Sequence, residues 1–99
     1  MEELNSETFK AFIQSEHKVI VDFYGPKCGA CESLLPFLER VSADYPNRIA
    51  KINASEEMEL AIEFGIRRIP TMLVFQKNVL VGSWRGSVNS EDRIHELIK

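Results

Sequence analysis

Two kinds of apolar run alternate along the chain, and their order predicts an α/β domain. Mostly apolar, β-branched runs predict strands at 19–24, 49–53, 71–76 and 79–85. Apolar residues at helical spacing predict helices that begin near residue 6, from 31 to about 45, from about 57 to 64, and after residue 90. A short extra strand near Leu4 would complete the set.

Turn-forming and capping residues separate these elements. Asn5 and Ser90 are expected to cap the first and last helices, and Gly65 to end the third. The tight turn at 77–78 makes the last two strands a hairpin, and Pro36 should kink the longest helix. A βαβ unit followed by a hairpin implies a central mixed sheet of four to five strands, flanked by four helices on its two faces.

Length and composition are those of one globular domain over residues 1–99, with 44% hydrophobic and 27% charged residues. The net charge of −3 gives no drive toward nucleic acid or an anionic membrane. No apolar run approaches the ~20 residues that span a bilayer. The first residues are acidic and polar, unlike a signal peptide, so we expect a cytoplasmic location.

Cys28 and Cys31 are the only cysteines, and they stand between a predicted strand and a predicted helix. Two cysteines three residues apart at a helix N-terminus lie on one face, close enough for a disulfide. The free N–H groups there stabilise a thiolate, so a redox pair is the leading interpretation. A structural disulfide, a zinc site and two unrelated buried thiols are the alternatives. The only histidines, His17 and His95, lack zinc-finger spacing, so no metal site is predicted.

Several further motifs occur in a fixed order around this pair. They are Val21-Asp22-Phe23-Tyr24, Cys28-Gly29-Ala30-Cys31, Pro36, Ala50-Lys51-Ile52-Asn53, Phe64-Gly65-Ile66-Arg67-Arg68-Ile69-Pro70-Thr71 and Gly86. Together with the element order, they resemble the thioredoxin family over nearly the whole chain. The resemblance implies the thioredoxin fold.

The resemblance also implies roles for the catalytic candidates. Cys28 would be the nucleophile that attacks a substrate disulfide, and Cys31 the more buried thiol that resolves the mixed disulfide. Asp22 would lie beneath Cys31 and help to deprotonate it, with Lys51 nearby. Pro70 would be cis and face the cysteines.

The remaining candidates are those expected to contact substrate: Lys27, Gly29, Ala30, Ile69 and Gly86. The backbone of Ile69 would hold a substrate strand.

Some of these residues have plainer interpretations. A charged Asp22 is costly to bury in an apolar strand, so its pKa should rise toward the working pH, which suits a proton acceptor. The alternative is a carboxylate at a strand end that faces water. Lys51 could be an ordinary solvated lysine, and Pro70 a trans proline that opens a strand.

The chain departs from the family pattern next to the cysteines. Lys27 stands where a tryptophan is usual and should lower the pKa of the Cys28 thiol. Tyr24 replaces another tryptophan, and Ala30 replaces the proline between the cysteines. With Arg67 and Arg68, Lys27 suggests a basic rim that prefers acidic partners, although solvated loop charges are the alternative.

The sequence thus predicts a thiol–disulfide oxidoreductase that reduces protein disulfides as a thioredoxin-type electron carrier. The resemblance implies disulfide-containing protein substrates, a thioredoxin reductase or equivalent that recharges the pair, no bound cofactor, and a monomer. A disulfide oxidant or isomerase of the same fold is one alternative. Another is a non-enzymatic binding module that docks a partner, or holds a metal, at the Cys28 face.

Overall fold

The computed structural model describes residues 1–99 as five strands and four helices. The strands are β1 (Glu2–Leu4), β2 (Val19–Tyr24), β3 (Ile49–Asn53), β4 (Thr71–Gln76) and β5 (Val79–Arg85). The helices are α1 (Ser6–Phe12), α2 (Gly29–Asp44), α3 (Met58–Glu63) and α4 (Asp92–Ile98). None of these helices has the length and apolar character that a bilayer crossing demands.

The strands form one mixed sheet in the order β1-β3-β2-β4-β5. β3 runs parallel to both β1 and β2, whereas β4 is antiparallel to β2 and β5. The predicted mixed sheet with four helices is therefore confirmed, and the optional strand near Leu4 is present. The central strand β2 carries the chain directly into the two cysteines.

Alternate residues of β2 face two separate cores, one on each side of the sheet. Val19, Val21 and Phe23 pack with residues of α1 and α3. Ile20 packs with residues of α2 and α4. Because side chains alternate along a strand, Asp22 projects to the same side as Ile20, which is the side of α2.

The hairpin turn explains why the adjoining ends of β4 and β5 were predicted correctly. Lys77 and Asn78 both have positive φ angles, 51° and 69°, as a two-residue hairpin turn requires. The Lys77 N–H donates a 2.8 Å hydrogen bond to the Ser15 carbonyl, which fixes the hairpin turn beside the segment that leads into β2.

Helix ends were predicted less well. α2 begins at Gly29, two residues earlier than expected, with Cys28 as its N-cap. The prediction that Ser90 caps α4 is wrong, because Glu91 occupies the N-cap position and makes no side-chain cap bond. The Ser90 hydroxyl instead accepts a 3.3 Å bond from the Asp92 N–H. Asn5 is the N-cap of α1, as predicted, and its side chain accepts two backbone N–H bonds.

Candidate active site

Cys28 and Cys31 are joined by a disulfide at the N-terminus of α2. Their Cα atoms are 5.2 Å apart, and the Cys31 N–H donates a 3.1 Å hydrogen bond to the Cys28 Sγ. Cys31 is only 7% exposed, whereas Cys28 is half-buried. A substrate therefore reaches the Cys28 sulfur more easily, and that sulfur already accepts a bond from the helix terminus.

The loop before β4 faces this disulfide. The Ile69–Pro70 peptide bond is cis, as the resemblance implies, and the Ile69 carbonyl oxygen lies 3.9 Å from the Cys28 Sγ. The Pro70 carbonyl accepts a 2.7 Å bond from the N–H of Gly86, which has a φ of 93°. The interpretation of Pro70 as a trans proline is wrong.

Gly25 brings the two loops of the site close together. A Cβ atom at this position would lie 2.7 Å from the Ile69 Cδ1, closer than side chains approach one another in proteins. Glycine thus leaves room for the Ile69 side chain just after the end of β2.

Asp22 is buried in β2 and lines the same cleft as Cys31. Its side chain is 2% exposed, and its Oδ1 has no hydrogen-bond partner. Burial raises the pKa of this carboxyl to about 7, although the charge of Lys51 opposes the rise and that of Glu3 adds to it. The interpretation of Asp22 as a water-facing carboxylate is wrong.

A cleft of about 230 Å³ connects Asp22 with Cys31 and with the exposed Lys27. Glu32 and Lys51 also line this cleft. A carboxyl group with a pKa near 7 and an open path past Cys31 can accept and release a proton near neutral pH.

Lys51 is opposite Asp22 in the register of β2 and β3, but it forms its ion pair elsewhere. Its Nζ lies 4.0 Å from the Glu3 Oε1 and 5.4 Å from the centre of the Tyr24 ring. Tyr24 in turn donates its hydroxyl to both carboxylate oxygens of Glu3, at 2.7 and 2.8 Å. Burial and this hydrogen bond raise the pKa of Tyr24 to about 12.

Glu3, Tyr24 and Lys51 are thus linked at the edge of the cleft. Glu3 was not predicted as a site residue. Its side chain approaches Lys51 only because β1 pairs with β3, and the sequence does not show this pairing. The one signal in the sequence is the apolar residue Leu4: if Leu4 faces the core, strand alternation turns its neighbour Glu3 to the other side of β1.

The other candidates lie at the mouth of the site. Gly29 and Ala30 are exposed in the first turn of α2, and Lys27 is exposed in the preceding loop with a φ of 53°. Arg67 and Arg68 are exposed in the loop that carries Pro70. The structure brings all the predicted candidates to one end of the sheet.

Two features of this end were not predicted. Arg85 is opposite Thr71 in the register of β4 and β5, which places it beside the Pro70 loop. A groove of about 390 Å³ also runs along α3, where Met58 and Ile62 are 62% and 73% exposed.

Trp84 lies against α4. Its Nε1–H donates to the Ser87 carbonyl at 3.2 Å, and the Arg93 guanidinium lies 4.4 Å from its ring centre. No group of three or more His, Cys, Asp or Glu side chains is arranged to hold a metal ion.

The thioredoxin family model matches residues 1–99. The chain belongs to the thioredoxin family. The structure is similar to that of thioredoxin f2 from Chlamydomonas reinhardtii, with a TM-score of 0.87 and 26% identity over 99% of this chain and 93% of that one.

Curated relatives are also similar in sequence. The chloroplastic M-type thioredoxin of Chlamydomonas reinhardtii is 37% identical over 76 residues, which are 74% of this chain and 54% of that protein. A protein disulfide-isomerase from Arthroderma benhamiae is 36% identical over 76 residues, which are 74% of this chain and 14% of that protein. The chain thus spans about half or less of the length of these relatives.

Proposed function

We propose that this thioredoxin-family chain is a thiol–disulfide oxidoreductase that reduces protein disulfides. The observation that carries the proposal is the Cys28–Cys31 disulfide at the N-terminus of α2, with the more accessible sulfur facing the Pro70 loop. An isolated structural disulfide would need no such opening toward solvent.

The reaction consists of two exchanges of sulfur bonds. The Cys28 thiolate attacks one substrate sulfur, the substrate S–S bond breaks, and the other substrate sulfur leaves as a thiolate that takes up a proton. Cys31 then loses its proton and attacks the Cys28 Sγ. That step closes the Cys28–Cys31 disulfide and releases the second substrate thiol. Overall, two electrons and two protons pass from the chain to the substrate.

Asp22 is the proposed proton acceptor for Cys31. It is the buried carboxylate in the same cleft as Cys31, and its pKa of about 7 matches a proton transfer near neutral pH. The free N–H groups of α2 and the cation at Lys27 favour the thiolate form of Cys28.

The reaction requires a second protein that reduces the cysteine pair again. Each turnover leaves the pair oxidised, so a reductase of the thioredoxin reductase type, or an equivalent dithiol donor, must recharge it. We place the protein in the cytoplasm as a monomer, where its substrates are disulfide-containing proteins. The chain itself needs no bound cofactor for the exchange.

An oxidant or isomerase role is the second candidate. Ala30 between the cysteines and the cation at Lys27 favour it, because both alter the stability of the reduced pair. The match to a protein disulfide-isomerase is consistent with this role.

The deciding experiment is the reduction potential of the Cys28–Cys31 couple, measured by equilibration in dithiothreitol and glutathione buffers. A value near roughly −270 mV supports the reductant, and one between roughly −180 and −120 mV supports the oxidant or isomerase. Failure to form a reversible disulfide would exclude both roles and favour a docking function.

A further inference from the structure

Four exposed cations lie in the segments that adjoin the disulfide and the Pro70 loop. Lys27 immediately precedes Cys28, and Arg67 and Arg68 immediately precede Ile69 in the Pro70 loop. Arg85 completes the set at the end of β5, opposite Thr71. We call these four residues the basic rim.

None of the rim side chains is neutralised within the chain. The four ion pairs of the structure are Arg40–Glu91, Lys51–Glu3, Arg93–Glu96 and His95–Glu91. No hydrogen bond joins a rim side chain to an acid either. Four cations at one end stand out in a chain that has 15 acidic and only 12 basic residues.

Acidic side chains near the rim do not reverse this local charge. In the cleft beside Lys27, the carboxyl groups are those of Glu32, which is exposed, and Asp22, which is buried with a pKa of about 7. Clustered charges of one sign raise the local concentration of partners of the opposite sign.

An apolar groove opens from the same surface. We call it the α3 groove. It has a volume of about 390 Å³, and its lining includes no acid. Its larger apolar side chains are Pro26, Met58, Ile62, Ile66 and Ile69, and Arg67 also lines it.

The α3 groove is continuous with the reactive surface. Pro26 belongs to the loop that leads into Cys28, and the carbonyl of Ile69 approaches the Cys28 Sγ. A polypeptide that brings a disulfide to Cys28 can therefore reach the groove and the rim at the same time.

We infer that this chain selects protein disulfides whose reactive cysteine lies in an acidic segment with a large apolar residue beside it. The acidic residues would pair with the basic rim, and the apolar residue would fill the α3 groove. This inference rests on the proposed disulfide exchange and adds the substrate class. The carboxylates would take no part in the exchange of sulfur bonds.

The charge preference can be measured with three peptides. They are identical except for Asp, Asn or Lys on both sides of one cysteine, which is held as a mixed disulfide with 2-mercaptoethanol. The reduced chain is mixed with each peptide, and the released peptide thiol is followed by mass spectrometry. The Asp peptide should react about five- to twentyfold faster than the Asn peptide at low salt, and the Lys peptide should react more slowly than the Asn peptide.

Salt is the first check on the origin of this preference. Because the rim is exposed, most of the difference should disappear at about 1 M salt, where the Debye length is about 3 Å. A preference for Asp that salt leaves unchanged would contradict the role of the rim.

Charge reversal supplies the matched variants. For each variant, the rates with the Asp and Lys peptides are divided by the rate with the Asn peptide. In the variant Arg68→Glu/Arg85→Glu, the Lys peptide should then react faster than the Asp peptide. The control Lys10→Glu/Lys77→Glu changes the net charge equally. Lys10 is in the last turn of α1, and Lys77 is in the hairpin turn bonded to Ser15, both away from the disulfide. This control should keep the original order.

The groove has its own test. Peptides with Leu or Ser beside the acidic residue should differ about fivefold in rate with the original chain, and should be nearly equal with Met58→Ser/Ile62→Ser. Both side chains are exposed, so the fold should tolerate these changes.

The outcomes separate this inference from the proposed function. Equal rates for the Asp, Asn and Lys peptides would overturn the substrate class and leave the exchange activity standing. Failure of the reduced chain to react with any peptide would overturn both.

Discussion

Asp22 and Lys51 are register partners on neighbouring parallel strands, yet the amine of Lys51 lies 4.0 Å from Glu3 and forms no ion pair with Asp22. The buried carboxyl group therefore lacks a direct cationic partner, and its Oδ1 lacks a hydrogen bond. Both conditions favour the protonated form of Asp22.

Replacement of Asp22 by Asn should stabilise the chain in alkaline solution. The pKa of Asp22 is raised from 3.8 to about 7, so the folded state binds more protons than the unfolded state between these values. The associated stability is present below pH 3.8 and is lost as the pH rises through 7. At pH 8 the neutral amide avoids a burial penalty of up to about 4 kcal/mol.

Urea unfolding of the oxidised protein at several pH values tests this prediction. The control is Asp44→Asn, an exposed residue at the end of α2, which should unfold like the original at each pH. A fixed difference between Asp22→Asn and the original at all pH values would contradict the assigned pKa.

The same substitution should slow turnover near neutral pH. Without a carboxylate beneath it, Cys31 loses its proton less readily, and mixed disulfides should persist longer. Stopped-flow measurement of the second exchange across the pH range reports this effect. An unchanged pH profile would exclude Asp22 as the proton acceptor.

Glu3→Gln should move the pH midpoint of that second exchange to lower values. The charge of Glu3 raises the pKa of Asp22, and its carboxylate also holds Lys51. Loss of this charge removes the first effect and frees Lys51 to approach Asp22. Glu2→Gln, at the neighbouring exposed position of β1, is the control and should leave the midpoint in place.

Lys27→Gln should raise the pKa of the Cys28 thiol. The lysine is exposed and its charge is screened by solvent, so the change should be modest. Thiolate absorbance in the ultraviolet measures it in the reduced protein, with Lys10→Gln as the control. If the pKa stays the same, the helix terminus and not Lys27 stabilises the thiolate.

Substitution of each cysteine should separate the two exchanges. Cys28→Ser should abolish reduction of a protein disulfide, because the accessible nucleophile is absent. Cys31→Ser should accumulate mixed disulfides at Cys28, visible by mass spectrometry and reversed by dithiothreitol. Residual turnover by Cys28→Ser would mean that the two roles are exchanged.

Local patterns in the sequence were enough to predict the sheet. β2, β3, β4 and β5 are bounded by turn residues, and their apolar runs are buried or paired as expected, so their ends agree with the prediction. Helix ends depend on which backbone groups a particular side chain can reach. That geometry is absent from a periodic pattern, which is why the start of α4 was misplaced.

Site residues that are brought together only by strand pairing could not be predicted from the sequence. The two cysteines could be recognised from their spacing and Pro70 from a contiguous motif. Glu3 and Arg85, however, join the site only through strand pairing at the two opposite edges of the sheet. The pairing register of β4 with β5 also shifts, at the point between Val74 and Phe75 of β4. Such an irregularity changes which residue faces the Pro70 loop and leaves no mark in the hydrophobic alternation.

The near contact between Gly25 and Ile69 has a consequence for how this surface could diversify. A side chain at position 25 would meet the end of the Ile69 side chain and make that side chain turn away. Glycine thus keeps the Ile69 side chain in its present position, while the exposed positions 27 and 68 have room for a change of charge or size. A change at position 68 can therefore alter recognition alone, whereas a change at position 27 also alters the charge beside the Cys28 thiol.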